Sequence, residues 1–200
     1  MIFTKPFVSI LLLQYNYHSY ISSMLSGKLI TLRSIEPSDV ELLYKWENNS
    51  EIWKVSNTLT PFSKKNIQDY IENSHNDIYT TKQLRLMICK TSKKNMAIGC
   101  IDLFDFDPNH SRAGIGILIA DKKNRNNNYA SESLSILIKY CFEKLNLHQL
   151  YCNVATDNKI SLNFFLKHKF KIVGKKKDWI RIRNKFTDEY LMQLITINSE

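Results

Sequence analysis

The stretch Asp121-Lys122-Lys123-Asn124-Arg125-Asn126-Asn127-Asn128-Tyr129-Ala130-Ser131 concentrates the residue types from which an anion site is made. It joins an apolar run ending at Ala120 to a segment of helical spacing that begins at Ala130. A short polar loop ahead of a helix leaves the first helical N–H groups unpaired. Together with the positive end of the helix they suit phosphate. The three successive asparagines matter because asparagine tolerates left-handed backbone angles nearly as glycine does. Lys122, Lys123 and Arg125 add positive charge beside them.

Other chemistry is thinner. Asp102, Asp105 and Asp107 alternate, the pattern of one face of a strand end, where the solvated side is the usual place for such residues. The histidines are scattered, and His148 and His168 are expected to be structural or surface residues. The four cysteines, Cys89, Cys100, Cys141 and Cys152, form no CxxC pair and have no histidine at zinc spacing. They are expected to be buried thiols of a reducing compartment, with no metal site and a cytoplasmic location.

These segments need elements to hold them. Leu29–Arg33 alternates like a strand. A helix is predicted from Pro37 to about Trp46, with Ser38 as N-cap and Glu41 three residues on. A second helix is predicted from Ser63 to Ser74, and a loop over Glu47–Ile52 between Trp46 and Trp53. Leu84–Ile88 and Ala97–Phe104 read as a hairpin across Lys93-Lys94-Asn95, and Arg112–Ala120 as the third strand of a meander. Ala130, Leu134, Leu137, Ile138, Cys141, Phe142 and Leu145 recur at spacings of three and four, an amphipathic helix. A strand at 148–155, a helix at 158–168 and two strands over 170–198 complete a mixed α/β sheet.

The chain has 200 residues, 44% of them hydrophobic and 24% charged, which excludes wholesale disorder and allows one packed domain. Residues 27–198 are expected to form it. Residues 1–26 are expected to be an extension, with Met24 a candidate start. Within them Phe7–Leu13 is like a weak export-signal core, too short to span a membrane and followed by no A-x-A site. The net charge of +9 does not choose a partner. Five acids (Glu36, Asp39, Glu41, Glu47, Glu51) face Lys45 in one segment, whereas 167–185 carries nine Lys or Arg against Asp178. Aromatics are not interleaved with that basic run, so nucleic acid is not the expected partner.

From about residue 27 to 197 the chain resembles the GCN5-related N-acetyltransferase superfamily, particularly its branch of ribosomal-protein and spermidine acetyltransferases. Arg125-Asn126-Asn127-Asn128-Tyr129-Ala130 is similar to that family's Q/R-x-x-G-x-G/A loop, with Asn128 in place of the central glycine. Asn158-Lys159-Ile160-Ser161-Leu162-Asn163-Phe164-Phe165-Leu166-Lys167-His168-Lys169-Phe170 is similar to N-x-x-A/S-x-x-x-Y-x-x-x-G-F, with Asn158 and Ser161 matching.

The resemblance implies a mostly antiparallel sheet flanked by helices, whose strands at 112–120 and 148–155 splay apart. It implies acetyl-CoA as cosubstrate. Its pyrophosphate would lie on Arg125, Asn126, Asn127, Asn128, Tyr129, Ala130 and Ser131. Its pantetheine arm would lie against Asn158, Ser161 and the backbone at Leu118, Ile119 and Ala120. Asn153, Trp46 and Trp53 would face the acceptor amine, although Trp46 and Trp53 also fit core packing at a helix end. Two departures bear on chemistry. Phe165 stands where the family often has an acidic tyrosine, and Gly114 begins a strand with no carboxylate where it often has a base.

The implied activity is acetyl transfer to a primary amine of a protein, peptide, polyamine or amino sugar, by direct attack in a ternary complex. The enzyme would be a monomer or homodimer. The alternative is a non-catalytic domain that binds acyl-CoA.

Overall fold

The computed structural model describes residues 23–56, 58–74, 76–92, 96–182 and 184–196. Strand β1 (Ile30–Ser34) leads through a 3-10 turn (Pro37–Asp39) into helices α1 (Val40–Glu47), α2 (Ser50–Ser56), α3 (Lys64–Asn73) and α4 (Ile78–Thr81). Strands β2 (Leu84–Lys90), β3 (Ala97–Asp107) and β4 (Arg112–Ile119) form the meander. Helix α5 (Tyr129–Glu143), strand β5 (Gln149–Ala155), helix α6 (Lys159–Lys167) and strands β6 (Lys171–Ile182) and β7 (Lys185–Ile195) follow. The sheet order is β1-β2-β3-β4-β5-β7-β6. Every pairing is antiparallel except β4 with β5.

Each face of the sheet carries its own core. On one, Leu134, Leu137 and Cys141 of α5 and Phe165 of α6 pack on Ile101, Leu103, Ile115 and Val154. Their spacing of three and four along α5 is the stripe that predicted the helix. On the other, Leu43 and Trp46 of α1, Ile52 of α2 and Ile67 and Ile71 of α3 pack on Met87, Cys89 and Cys100.

Local signals account for most element ends. Ser63 Oγ accepts the Asn66 N–H at 3.1 Å and Asn66 Oδ1 accepts the Ser63 N–H at 3.2 Å, a reciprocal cap that starts α3. The cap before α1 is not Ser38. Asp39 Oδ2 accepts the Glu36 N–H at 2.8 Å, and the same carboxylate holds Arg33 at 2.7 and 2.8 Å. The expected loop over Glu47–Ile52 is confined to Asn48 and Asn49, and α2 already starts at Ser50. Asn49 Oδ1 accepts the Glu51 N–H at 2.9 Å, an N-cap that turns the chain back into helix and buries Ile52.

The expected extension over 1–26 overlaps the sheet at its end. Leu25 accepts the Leu32 N–H at 2.8 Å, Ser26 bridges Thr31, and the Leu25 side chain packs on the core. The rest of that segment, and the Lys93-Lys94-Asn95 turn, lie outside the described residues.

Candidate functional site

Strands β4 and β5 pair only through Arg112–Gln149, Ala113–Leu150 and Gly114–Tyr151. Beyond that point β4 stays with β3, and β5 stays with β7. The two central strands therefore part, and each shows one unpaired edge to the gap.

Alternation identifies those edges. Ala120 donates to the Ile98 carbonyl at 3.0 Å, and the Leu118 carbonyl points at Gly99, 1.9 Å from where a Cβ there would sit. Ladder groups reverse direction at each residue, so Gly116, Leu118 and Ala120 face β3, while Ile115, Ile117 and Ile119 face the gap. On β5, Gln149 donates to the Ser111 carbonyl at 3.2 Å, which by the same rule turns the backbone of Asn153 to the gap. Leu118 and Ala120 therefore turn their backbone groups to β3, whereas Ile117 and the N–H of Ile119 face the gap.

At the open end of β4 lies the asparagine loop. Asn126 (φ 62°) and Asn128 (φ 61°) both take the left-handed conformation that glycine usually supplies. Asn128 is the N-cap of α5 and makes no side-chain capping bond, so the amides of Tyr129, Ala130 and Ser131 receive no side-chain cap from it. Asn127 Nδ2 donates to the Arg125 carbonyl at 2.8 Å and to the Lys123 carbonyl at 3.3 Å, which fixes the turn. Arg125 folds back rather than outward. Its guanidinium donates to the carbonyls of Ile119 at 3.2 Å and Ala120 at 3.3 Å.

Nothing in the spacing around Asn124 marks it as buried. It is 3% exposed, and its Nδ2 has no partner among the described residues. A buried amide donor left unpaired next to an uncapped helix end fits a site completed by a ligand with acceptor oxygens.

Helix α6 follows β5, the strand on the far side of the gap. Asn158 caps the helix, its Oδ1 accepting the Ser161 N–H at 3.1 Å. Phe165 is buried against Phe164 and Phe170, with ring centroids 5.2 and 5.1 Å away, and offers no polar atom. His168 Nε2 lies 3.1 Å from Ser131 Oγ and ties the end of α6 to the start of α5. Burial, helped by the Lys167 charge, pulls its pKa below the ordinary histidine value.

The opposite face of the gap, under α1–α3, carries polar groups. Gly116 sits opposite Asp102, whose carboxylate is 3.9 Å from a Cβ position on that glycine. Arg85 grips Asp102 through Nε–Oδ1 at 2.7 Å and Nη2–Oδ2 at 3.1 Å, and reaches Glu47 Oε1 at 2.6 Å. Burial alone would lower the Arg85 pKa. The Asp102 charge overrides it and leaves the guanidinium above its ordinary value. Tyr151, at the apex, donates its hydroxyl to Asp105 Oδ2 at 2.9 Å. Burial first, and this bond to Asp105 second, push its pKa up to about 12.

Asn153 lies on that face, its Oδ1 accepting from Lys176 Nζ at 3.0 Å, and the same ammonium meets buried Glu189 at 3.0 Å. Trp53 donates its indole N–H to the Glu47 carbonyl. Trp46 is 6% exposed in the core, so its ring has no open face for a substrate.

The acidic segment is largely neutralised: Asp39 pairs with Arg33, Glu41 with Lys64, Glu47 with Arg85 and Glu51 with Lys122. All four cysteines are buried and free. Burial raises the thiols of Cys100, Cys141 and Cys152, which disfavours a thiolate nucleophile. Among the described residues no group of three His, Cys, Asp or Glu could hold a metal, and no helix is long and apolar enough to cross a membrane.

The comparisons agree with this arrangement. The family model described as "Acetyltransferase (GNAT) domain" matches residues 30–171. The chain is similar to an uncharacterised N-acetyltransferase, p20, of Bacillus licheniformis, with 25% identity over 166 residues, 83% of this chain and 92% of that protein. It is also similar to spermidine N(1)-acetyltransferase of Vibrio cholerae, with 24% identity over 169 residues, 83% of this chain and 92% of that protein.

Among solved structures, spermidine N-acetyltransferase from Vibrio cholerae in complex with CoA and spermine superposes with a TM-score of 0.73 at 22% identity, covering 84% of this chain and 96% of that one. A GNAT-family acetyltransferase from Bacillus anthracis gives a TM-score of 0.70 at 19% identity, covering 86% and 97%. The parted strands, the loop before α5 and the family match converge: the chain belongs to the GNAT acetyltransferase family and is an N-acetyltransferase, with acetyl-CoA as its cosubstrate.

Proposed function

We propose that residues 27–198 act as one cytoplasmic enzyme domain that acetylates a small primary amine, with a polyamine as the first acceptor to test. The observation that carries this is the parting of β4 from β5 after Gly114–Tyr151, on the strand whose end leads through the asparagine loop into the uncapped start of α5. Four buried, unpaired thiols support the location. The spermidine enzyme among the relatives supports the acceptor class, as does the face under α1–α3, where Glu47 and Asp102 share one Arg85.

Acetyl-CoA supplies the activated acyl group. The chain's own residues bind and orient. The amides of Tyr129, Ala130 and Ser131, set by left-handed Asn126 and Asn128, would hold the pyrophosphate, with the Asn124 amide close by. Arg125 acts through the loop, by pinning it to the end of β4. The open edges at Ile117 and Asn153 would take the pantetheine amides as a further strand would, and Asn158 and Ser161 close that side from α6. The amine would enter over Gly116, with Asn153 and Trp53 at its rim.

A protonated amine, with a reference pKa of about 10.4, must lose a proton before attack. The side chains at that face are committed elsewhere: Asp102 and Glu47 to Arg85, and Tyr151 to Asp105. In this reading water takes the proton, and the enzyme contributes chiefly proximity, which is worth roughly 7–11 kcal/mol when alignment is good.

Phe165 and Gly114, where the family often has its acid and base, favour a second reading, a non-catalytic acyl-CoA-binding domain. One experiment separates the two. The full chain is titrated with acetyl-CoA by calorimetry, then given polyamines, amino sugars and peptide α-amines while thiol release is followed. Amine-dependent release establishes turnover and names the acceptor class. Binding without release for every amine supports the second reading, and no binding overturns both.

A further inference from the structure

The first turn of α5 carries a carboxylate, Glu132, one turn from amides suited to an anion. Like charge there opposes phosphate unless it is taken up elsewhere. In this fold it is. Glu132 Oε1 accepts the Lys28 N–H at 2.9 Å, and Oε2 accepts those of Leu29 at 2.7 Å and Ile30 at 2.9 Å. Three successive backbone N–H groups converge on one side chain about a hundred residues away in sequence, a nest that holds negative charge.

A second observation shows how closely the two parts fit. A Cβ on Gly27 would lie 2.7 Å from Glu132 Cδ and 2.9 Å from its Oε1. The receiving segment is itself fixed. Gly27 donates to Ile30 at 2.8 Å, and the Lys28 and Leu29 carbonyls accept from Thr91 at 2.8 and 3.1 Å. A third tie reaches the first residue of the helix, where the Lys90 ammonium lies 5.0 Å over the Tyr129 ring.

We propose that Glu132 is a positioning residue for the pyrophosphate of the cosubstrate. Its carboxylate is held by the three N–H groups of Lys28–Ile30, which ties the start of α5 to the segment that leads into β1 and so fixes the amides that would face the pyrophosphate. This rests on the acetyl-CoA reading given above. Glu132 touches no part of the cosubstrate in this account; it acts through the amides of Tyr129, Ala130 and Ser131.

The test uses the full chain and two donors. Acetyl-CoA carries the pyrophosphate, and S-acetyl-pantetheine lacks it. Glu132→Gln should raise the Kd for CoA and the KM for acetyl-CoA at least tenfold, while the KM for S-acetyl-pantetheine stays within twofold. Gly27→Ala keeps the charge but crowds the carboxylate, and should show the same split in smaller measure. If Glu132→Gln does not fold, Gly27→Ala carries the test. Equal weakening of both donors would mean a merely structural role and overturn the proposal, as would CoA affinity within twofold of wild type. Failure of the wild-type chain to bind CoA would instead overturn the acetyl-CoA reading itself, and this proposal with it.

Discussion

The ring of Phe104 occupies the space where Gly114 has no side chain. A Cβ on Gly114 would meet three ring carbons at 2.2, 2.4 and 2.7 Å. Phe104 in turn stands edge-on to Tyr151, with centroids 5.8 Å apart, at the point where β4 and β5 separate. The position is therefore closed by an aromatic neighbour, and no side chain fits there without moving it.

Crowding at this pair should appear as a coupling energy. Gly114→Ala is expected to destabilise by about 1–3 kcal/mol, the usual range for overpacking. Combined with Phe104→Ala, the loss should be smaller than the sum of the two single losses by at least about 1 kcal/mol. Urea denaturation of the four proteins measures the cycle, and strict additivity would contradict the contact.

The left-handed backbone at Asn128 makes a second prediction. Asn128→Gly should hold stability and CoA affinity near wild type. Asn128→Ala should cost roughly 1–2 kcal/mol, because the left-handed region is strained for a residue with a Cβ and tolerated by asparagine better than by alanine. Thermal melts with and without CoA compare them, and equal behaviour of the two variants would count against the loop geometry.

Arg85 holds two carboxylates that sit together. Arg85→Met should cost about 1–3 kcal/mol, less than the 3–5 typical of fully buried pairs, since the Glu47 and Asp102 side chains keep 19% and 24% exposure. Adding Glu47→Gln and Asp102→Asn should recover much of that. Denaturant midpoints check both steps. A triple variant no better than Arg85→Met would show that the loss is packing rather than charge.

His168 should make stability depend on pH. Its folded-state pKa lies below the ordinary value of 6.5, so the unfolded chain binds the proton more readily. The contribution is fully present above 6.5 and is lost as pH falls through that value to the folded one. Stability measured from pH 8 to 5 should fall less steeply in His168→Gln than in wild type. Parallel curves would dismiss the assignment.

What the residues announced by themselves is chemistry that acts within a few positions along the chain. The apolar stripe of α5 and the left-handed asparagines at 126 and 128 depend on neighbours within about one helical turn, so side-chain type and spacing suffice; the caps at Ser63 and Asn158 are of the same local kind, though only the structure shows them. The Asn49 cap before α2 belongs to the same local class, although the segment between Trp46 and Trp53 reads as a loop.

The groups that shape the acceptor side are of another kind. Asp102 faces Gly116, Arg85 reaches Glu47, and Lys176 reaches Asn153. Each pair depends on strand register and on which helix packs over which face. A shift of one residue would turn every one of these strand side chains to the other side of the sheet. The same holds for the gap itself. Its existence is written in the family motifs, but which backbone edge lines it, Ile117 rather than Leu118, follows from where β4 pairs with β3, and only the assembled sheet decides that.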